Sequence, residues 1–438
     1  MIRPIWLFVL AALSVAAPAQ SKADYEKDVA FAIDEVGKQC KDLLTSKKID
    51  WKKVSKPLLV QSKKTKTDAE HLLLLWRLLA RLQDGHAAVQ PLPAGKNVKL
   101  DLPDRSGGPG LFVCRIGDGV FVKNAWGPAA SSGLAPGMQI VAIDGKPAAD
   151  WLTARREEIC DLVSFSTPQQ AEFYTCHWGL ADAVGTRVAY EVQDGGAKKK
   201  RTVTFGKVNQ VPNGPAFPPA ELQKKGDIAF GKTAQGFGYL HIRRCKAELP
   251  ELVDEAIGQI GDVPGMILDF RGNGGGGFDH EALFGRFLAK DEEWRAGTRY
   301  RGVGAHCYLG PVVVIVDGNT RSAGETAAGI FTEDGRAYGI GESATAGMSS
   351  QKTTIELPSK LFALYVSTHS NKGRFQGGKG IEGLGVEPHE IVPFAAADLA
   401  AQRDTLIARA EALLGGFPAD PAWKKVRFDP REHGFAGK

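Results

Sequence analysis

The sequence predicts an α/β protein in which a helical segment and a β-rich segment precede a half built of alternating strands and helices. Three observations predict it. Residues 24–91 place apolar side chains at helical spacing, including Val29, Ile33, Val36 and Cys40, then Leu72, Leu75, Leu78, Leu79 and Leu82. Residues 97–206 carry short apolar runs between glycine-rich turns. From about residue 228, apolar runs of strand length alternate with amphipathic stretches, the pattern of βαβ units.

Each segment can be read further. Helices are expected over Tyr25–Leu44 and Thr67–Leu82, the second ending at Asp84-Gly85-His86. Strands are expected at Leu111–Arg115, Val120–Val122, Gln139–Ile143, Arg187–Val192 and Thr202–Phe205, with a hairpin turn at Asp194-Gly195-Gly196 and a helix-rich insertion over 151–183. The last half predicts strands at Gly236–Ile242, Met266–Phe270, Pro311–Val316 and Ala337–Gly339. Its helices are Leu249–Ile260, His280–Leu288 and Ser322–Phe331. An added hairpin spans Thr353–Leu357 and Leu361–Thr368, and one C-terminal helix covers Asp398–Leu414.

A chain of 438 residues predicts two to four compact units. Hydrophobic content of 43% and charged content of 24% fit a soluble globular protein. The formal charge of +5 is small for this length, and the basic runs Lys63–Lys66 and Lys198–Arg201 lack interleaved aromatics, which argues against a nucleic-acid partner. Residues 1–19 read as a signal peptide: Arg3, an apolar run from Ile5 to Ala17, and a small-residue site at Ala17-Pro18-Ala19. The expectation is an exported protein, periplasmic or extracellular, with no membrane insertion after cleavage. Export permits disulfides, and Cys160–Cys176 is the one candidate pair among six cysteines. No cysteine–histidine spacing suggests a metal, and no cofactor is expected.

Chemistry points first to Ser322. It follows a buried strand and opens a helix, where unpaired backbone N–H groups and the helix dipole favour a developing negative charge. The Ala323 amide is then placed to face an oxyanion. The same position suits an ordinary N-cap serine. A second strand, Ile267–Phe270, runs into Arg271-Gly272-Asn273-Gly274-Gly275-Gly276-Gly277. Gly274 or Gly275 is a candidate for the second oxyanion donor, and no Lys-Ser or Lys-Thr closes the run as a phosphate loop requires.

Leu268–Gly275, Ser322-Ala323-Gly324-Glu325, Gly341-Glu342 and Gly380–Pro388 together resemble the C-terminal-processing and tricorn-core family of serine peptidases. The resemblance implies a ClpP/crotonase-like α/β catalytic domain over 220–396, an N-terminal helical domain over 24–95, an inserted PDZ-like β-rich domain over 97–206, and a C-terminal helix and tail over 397–438. It implies a serine endopeptidase acting on unstructured or C-terminal regions of polypeptides. That family uses either a Ser/Lys dyad or a histidine-dependent triad. Met348 stands where the dyad lysine belongs, and Lys352 is the displaced alternative. The triad version maps onto Ser322, His86 and Glu382, with His389 a rival base. The PDZ likeness assigns peptide binding to Gly110, Leu111 and Phe112. Polypeptide substrates are the expected partners; a homo-oligomer and a catalytically silent binding protein remain open.

Overall fold

A computed structural model describes residues 22–194, 196–207, 214–293, 300–369 and 375–418. The proposed signal peptide lies outside the described residues, as does Gly195 of the expected hairpin turn.

The N-terminal part is four helices: Lys22–Gln39, Lys41–Ser46, Trp51–Ser62 and Asp68–Ala80. The expected Tyr25–Leu44 helix is interrupted at Cys40, whose backbone leaves helical geometry (φ −98°, ψ 16°). Asp50 and Thr67 accept from the backbone N–H groups of Lys53 and Glu70, satisfying amides that a helix start leaves open. These helices pack Val29, Leu43, Leu75 and Leu78 against Phe362, Leu364 and Val366. Those last residues belong to the hairpin Lys352–Glu356 and Phe362–Ser367, which pairs with Ala88–Pro91 in a three-stranded sheet. A hairpin from the second half of the chain thus completes the core of its beginning.

The middle segment forms a separate antiparallel sheet. Its order is Leu111–Ile116, Gly119–Ala125, Gln139–Ile143, Arg187–Asp194, Ala197–Thr204, with Lys146–Pro147 paired to the third. Helices Ala148–Leu162 and Pro168–His177 fill the insertion and cover the sheet with Leu152, Cys176 and their neighbours.

The second half is built on a seven-stranded sheet ordered Glu390–Ile391, Tyr338–Gly341, Val312–Val316, Met266–Asp269, Gly238–Ile242, Ile228–Lys232, Gln223–Lys225. The first five strands are parallel and the last two antiparallel. Alternation decides which face each side chain takes. Met266, Leu268, Val312 and Val314 face helices Leu249–Ile260 and Ala323–Glu333. Ile267, Val313 and Ile315 face Leu406, Ala410 and Leu413, together with Cys114 of the middle segment. Both faces are covered, as a parallel sheet requires.

Two expectations are corrected. All six cysteines are free thiols, so Cys160 and Cys176 do not pair; they sit on separate helices, and Cys176 is buried with its Sγ 3.5 Å from Glu172. The C-terminal helix is two helices, Ala396–Ala400 and Thr405–Gly415. The break centres on Asp404, which accepts from the N–H groups of Leu406 and Ile407 and also binds Arg271.

Candidate active site

The parallel strands Met266–Asp269 and Val312–Val316 end side by side, so the turns that leave them meet. Asp317 stitches the two turns together. Its carboxylate accepts from the N–H of Gly272 (2.9 Å), Asn319 (3.0 Å) and Thr320 (2.7 Å). Burial pushes its carboxyl up to about 6. The Thr320 hydroxyl donates to the Phe270 carbonyl and the Arg321 N–H to the Asn273 carbonyl.

Ser322 then stands at the head of the Ala323–Glu333 helix with φ 56° and ψ −127°, a conformation that costs a non-glycine residue free energy. Glu325 holds it there. This fully buried carboxylate accepts from the N–H of Ser322 (2.9 Å), Gly347 (2.6 Å) and Met348 (2.7 Å) and from the Thr345 hydroxyl (2.5 Å). Burial pushes its carboxyl up to about 8, and the four donors pull the other way. Ser322 and Glu325 form a capping box at the start of this helix.

The glycine-rich turn lies directly against that hydroxyl. A Cβ at Gly275, where φ is +75°, would fall 2.7 Å from the Ser322 Cβ and 3.2 Å from its Oγ. Asn273 anchors the turn, donating to the Ile242 carbonyl and accepting from the Gly275 N–H. The Gly274 N–H donates to the Arg243 carbonyl. Both glycine amides named as oxyanion donors therefore have partners in this geometry, whereas no acceptor is recorded for the Ala323 amide among the described residues. Below the turn, Arg271 is fully buried between Asp269 (2.6 Å) and Asp404 (2.9 Å).

His86 follows the turn that ends the Asp68–Ala80 helix. Asp84 shapes that turn by accepting from the His86 N–H, the Ser367 N–H and the Ser367 hydroxyl. Burial drives the His86 ring down to about 4; Asp84 opposes this, and Lys352, Arg321 and Lys47 add to it. Met348 links this turn to the serine: its side chain lies where a Cβ on Gly85 would fall (2.5 Å from Cγ), and its N–H donates to Glu325. Among the described residues, no hydrogen bond joins the His86 ring to the Ser322 hydroxyl.

Glu382 reaches the same place from the Gly380–Gly385 segment. One donor atom each from Asp84, His86 and Glu382 lie within 4.8 Å of one another. Glu382 Oε1 accepts from Lys47 Nζ (2.7 Å) and the Ser166 hydroxyl (2.8 Å), while Oε2 and His86 Nδ1 are buried without a hydrogen-bond partner. Asp84 is spent on three donors and Lys47 supplies a cation of its own, so this cluster is not built to take a metal ion.

The rival residues are set differently, although Lys352 stands near enough to His86 to help push its ring down. Lys352 is exposed, without the burial that keeps a lysine neutral. His389 accepts from the Gly339 N–H (2.8 Å) and stacks on Tyr338. Leu111 and Phe112 are buried, and the Gly110 carbonyl accepts from the Trp126 N–H. The edge strand Leu111–Ile116 and helix Pro168–His177 frame a cleft that Pro393 and Phe394 enter from the other half. Lys47 and Ser166 are site residues that sequence reasoning missed. A lone lysine at a helix end and a serine in a loop carry no pattern, and only the fold brings them to Glu382.

Residues 236–392 match peptidase family S41. The carboxy-terminal processing protease CtpB of Bacillus subtilis (strain 168) is 23% identical over 345 residues, 75% of this chain but only 62% of that relative's length. Mature CPAF in complex with lactacystin is similar in fold, with a TM-score of 0.65 at 13% identity over 90% of this chain and 98% of that one.

Proposed function

We propose that this chain, a serine-type peptidase carrying an S41 domain, is an exported endopeptidase that cleaves unstructured or C-terminal regions of polypeptides through an acyl-enzyme. Ser322 is the nucleophile, His86 its base, and Glu382 the carboxylate that orients the ring. The observation that carries this reading is the meeting of His86 and Glu382 in one buried cluster with Asp84, each with a buried atom (Nδ1 and Oε2) that has no hydrogen-bond partner, the cluster being tied through Met348 and Glu325 to Ser322. A ring whose Nδ1 proton meets a carboxylate presents Nε2 to a nucleophile.

His86 takes the Ser322 proton as Oγ bonds to the scissile carbonyl carbon. It returns that proton to the amine as the C–N bond breaks. Water, deprotonated by the same ring, then hydrolyses the ester. The Ala323 amide faces the oxyanion. The serine–histidine hydrogen bond forms as substrate seats, since catalytic hydrogen bonds tighten in the Michaelis complex. The middle segment, read as PDZ-like, receives the polypeptide along its edge strand Leu111–Ile116. The relative named as a carboxy-terminal processing protease supports this substrate class.

A fluorophosphonate probe tests the reading. Labelling is expected in the parent, absent in Ser322→Ala, and reduced about 100-fold or more in His86→Ala. Full labelling of His86→Ala with loss in Lys352→Ala would replace the triad by the dyad.

A further inference from the structure

We infer that Lys47 and Ser166 are positioning residues for the Glu382–His86 pair, and that Lys47 sets the acid limit of the activity. This rests on the triad proposed above. Lys47 caps the short Lys41–Ser46 helix, far in sequence from every motif. Its ammonium sits on Glu382 Oε1, with 6% of the lysine side chain and none of the glutamate exposed. The same ammonium donates to the Gln83 carbonyl, in the turn that carries His86. Gly383, with φ +77°, leaves room for the lysine stem: a Cβ there would lie 2.7 Å from Lys47 Cε. A side chain at 383 would therefore displace the lysine.

Ser166 makes a parallel bridge. Its hydroxyl donates to Glu382 Oε1 (2.8 Å) and accepts from the Gly85 N–H (2.9 Å). Two ties thus run from the histidine turn to one oxygen of Glu382. The other oxygen, buried without a hydrogen-bond partner, is the one the proposed triad uses for the ring. Bridges on both sides fix the distance between carboxylate and imidazole, as catalysis by an oriented ring demands.

The charge has a second effect. His86 is faced by Asp84 and Glu382, and by the cations Lys352, Arg321 and Lys47. Burial raises the Glu382 carboxyl, Lys47 opposes this, and Asp84 adds to it. With Lys47 uncharged or absent, the carboxyl takes up a proton at a higher pH, and the ring also holds its proton to a higher pH. Both changes move the acidic limb of activity upward.

The experiment is the pH profile of kcat/KM on an unstructured polypeptide for Lys47→Met, Lys47→Gln, Lys47→Arg and Ser166→Ala, with thermal melts to establish folding. Lys47→Met is expected to move the acidic limb up by about one pH unit, a ten-fold change in proton affinity. Lys47→Gln keeps a donor without the charge and is expected to give the same shift should Lys47→Met fail to fold. Lys47→Arg is expected to restore the limb. Ser166→Ala is expected to lower kcat about ten-fold with KM little changed. A folded Lys47 variant without charge whose limb stays put overturns the inference. His86→Ala separates the two claims: if it is inactive while the limb stays put, only the role of Lys47 falls; if it is fully active, the triad itself falls.

Discussion

The His177 ring is buried, stacked 3.9 Å from Phe173, and bonded through Nδ1 to the Phe173 carbonyl. Burial and the nearby Lys123 hold it well below 6.5. A ring that stays neutral in the fold but ionises in the unfolded chain contributes stability that is present above about pH 6.5 and is lost as pH falls below it, at about 1.4 kcal/mol per pH unit. The thermal midpoint is therefore expected to fall between pH 6.5 and pH 5, and His177→Phe is expected to make that slope shallower, with His86 and His241, also held down by burial, supplying the rest. At this scale the sequence was legible where a residue's place in the chain narrows its role. Ser322 was expected to open a helix after a strand, and it stands at the head of one; that place suits an N-cap as well as a nucleophile, and only the resemblance of the surrounding motifs singled the serine out. The commitment of the Gly274 and Gly275 amides was not legible, because their acceptors, the Arg243 carbonyl and the Asn273 side chain, are set by how the turn closes.

Among the elements, periodicity located the helix Leu249–Ile260 at its exact bounds and the strand Val312–Val316 to within a residue, since each has one clear apolar pattern. The break near residue 404 escaped because Asp404 serves two masters. It caps a helix locally and neutralises Arg271 at a distance, and the second role leaves no local signal. Asp404→Ala is expected to cost about 3 kcal/mol, because it removes the cap and leaves a buried guanidinium with one carboxylate instead of two. Chemical denaturation measures the loss, and Asp404→Asn, which keeps the capping oxygen, is expected to recover part of it. The hairpin 352–367 was recognised as a hairpin but not as a partner of the N-terminal helices. Pairing of Ala88–Pro91 with Phe362–Tyr365 joins residues too distant for any local signal.

For the whole molecule, the middle segment and the second half meet over Lys123 and Glu342. Lys123 has 2% of its side chain exposed, its ammonium lies 3.5 Å from Glu342 Oε1, and it sits 4.6 Å from the centre of the Phe394 ring. A buried charge left alone is costlier than a buried pair removed together. Lys123→Met and Glu342→Gln are each expected to lower stability by about 2–3 kcal/mol, and the double variant by less than their sum; a double-mutant cycle by thermal melting reads the coupling.

The network around Glu325 has a consequence for the life of the chain. Three of its four donors come from residues 345–348, so the backbone twist at Ser322 is secured only after that later stretch has docked. Until residues 345–348 dock, Glu325 lacks three of its donors, and the left-handed backbone at Ser322 loses the anchor that offsets its cost.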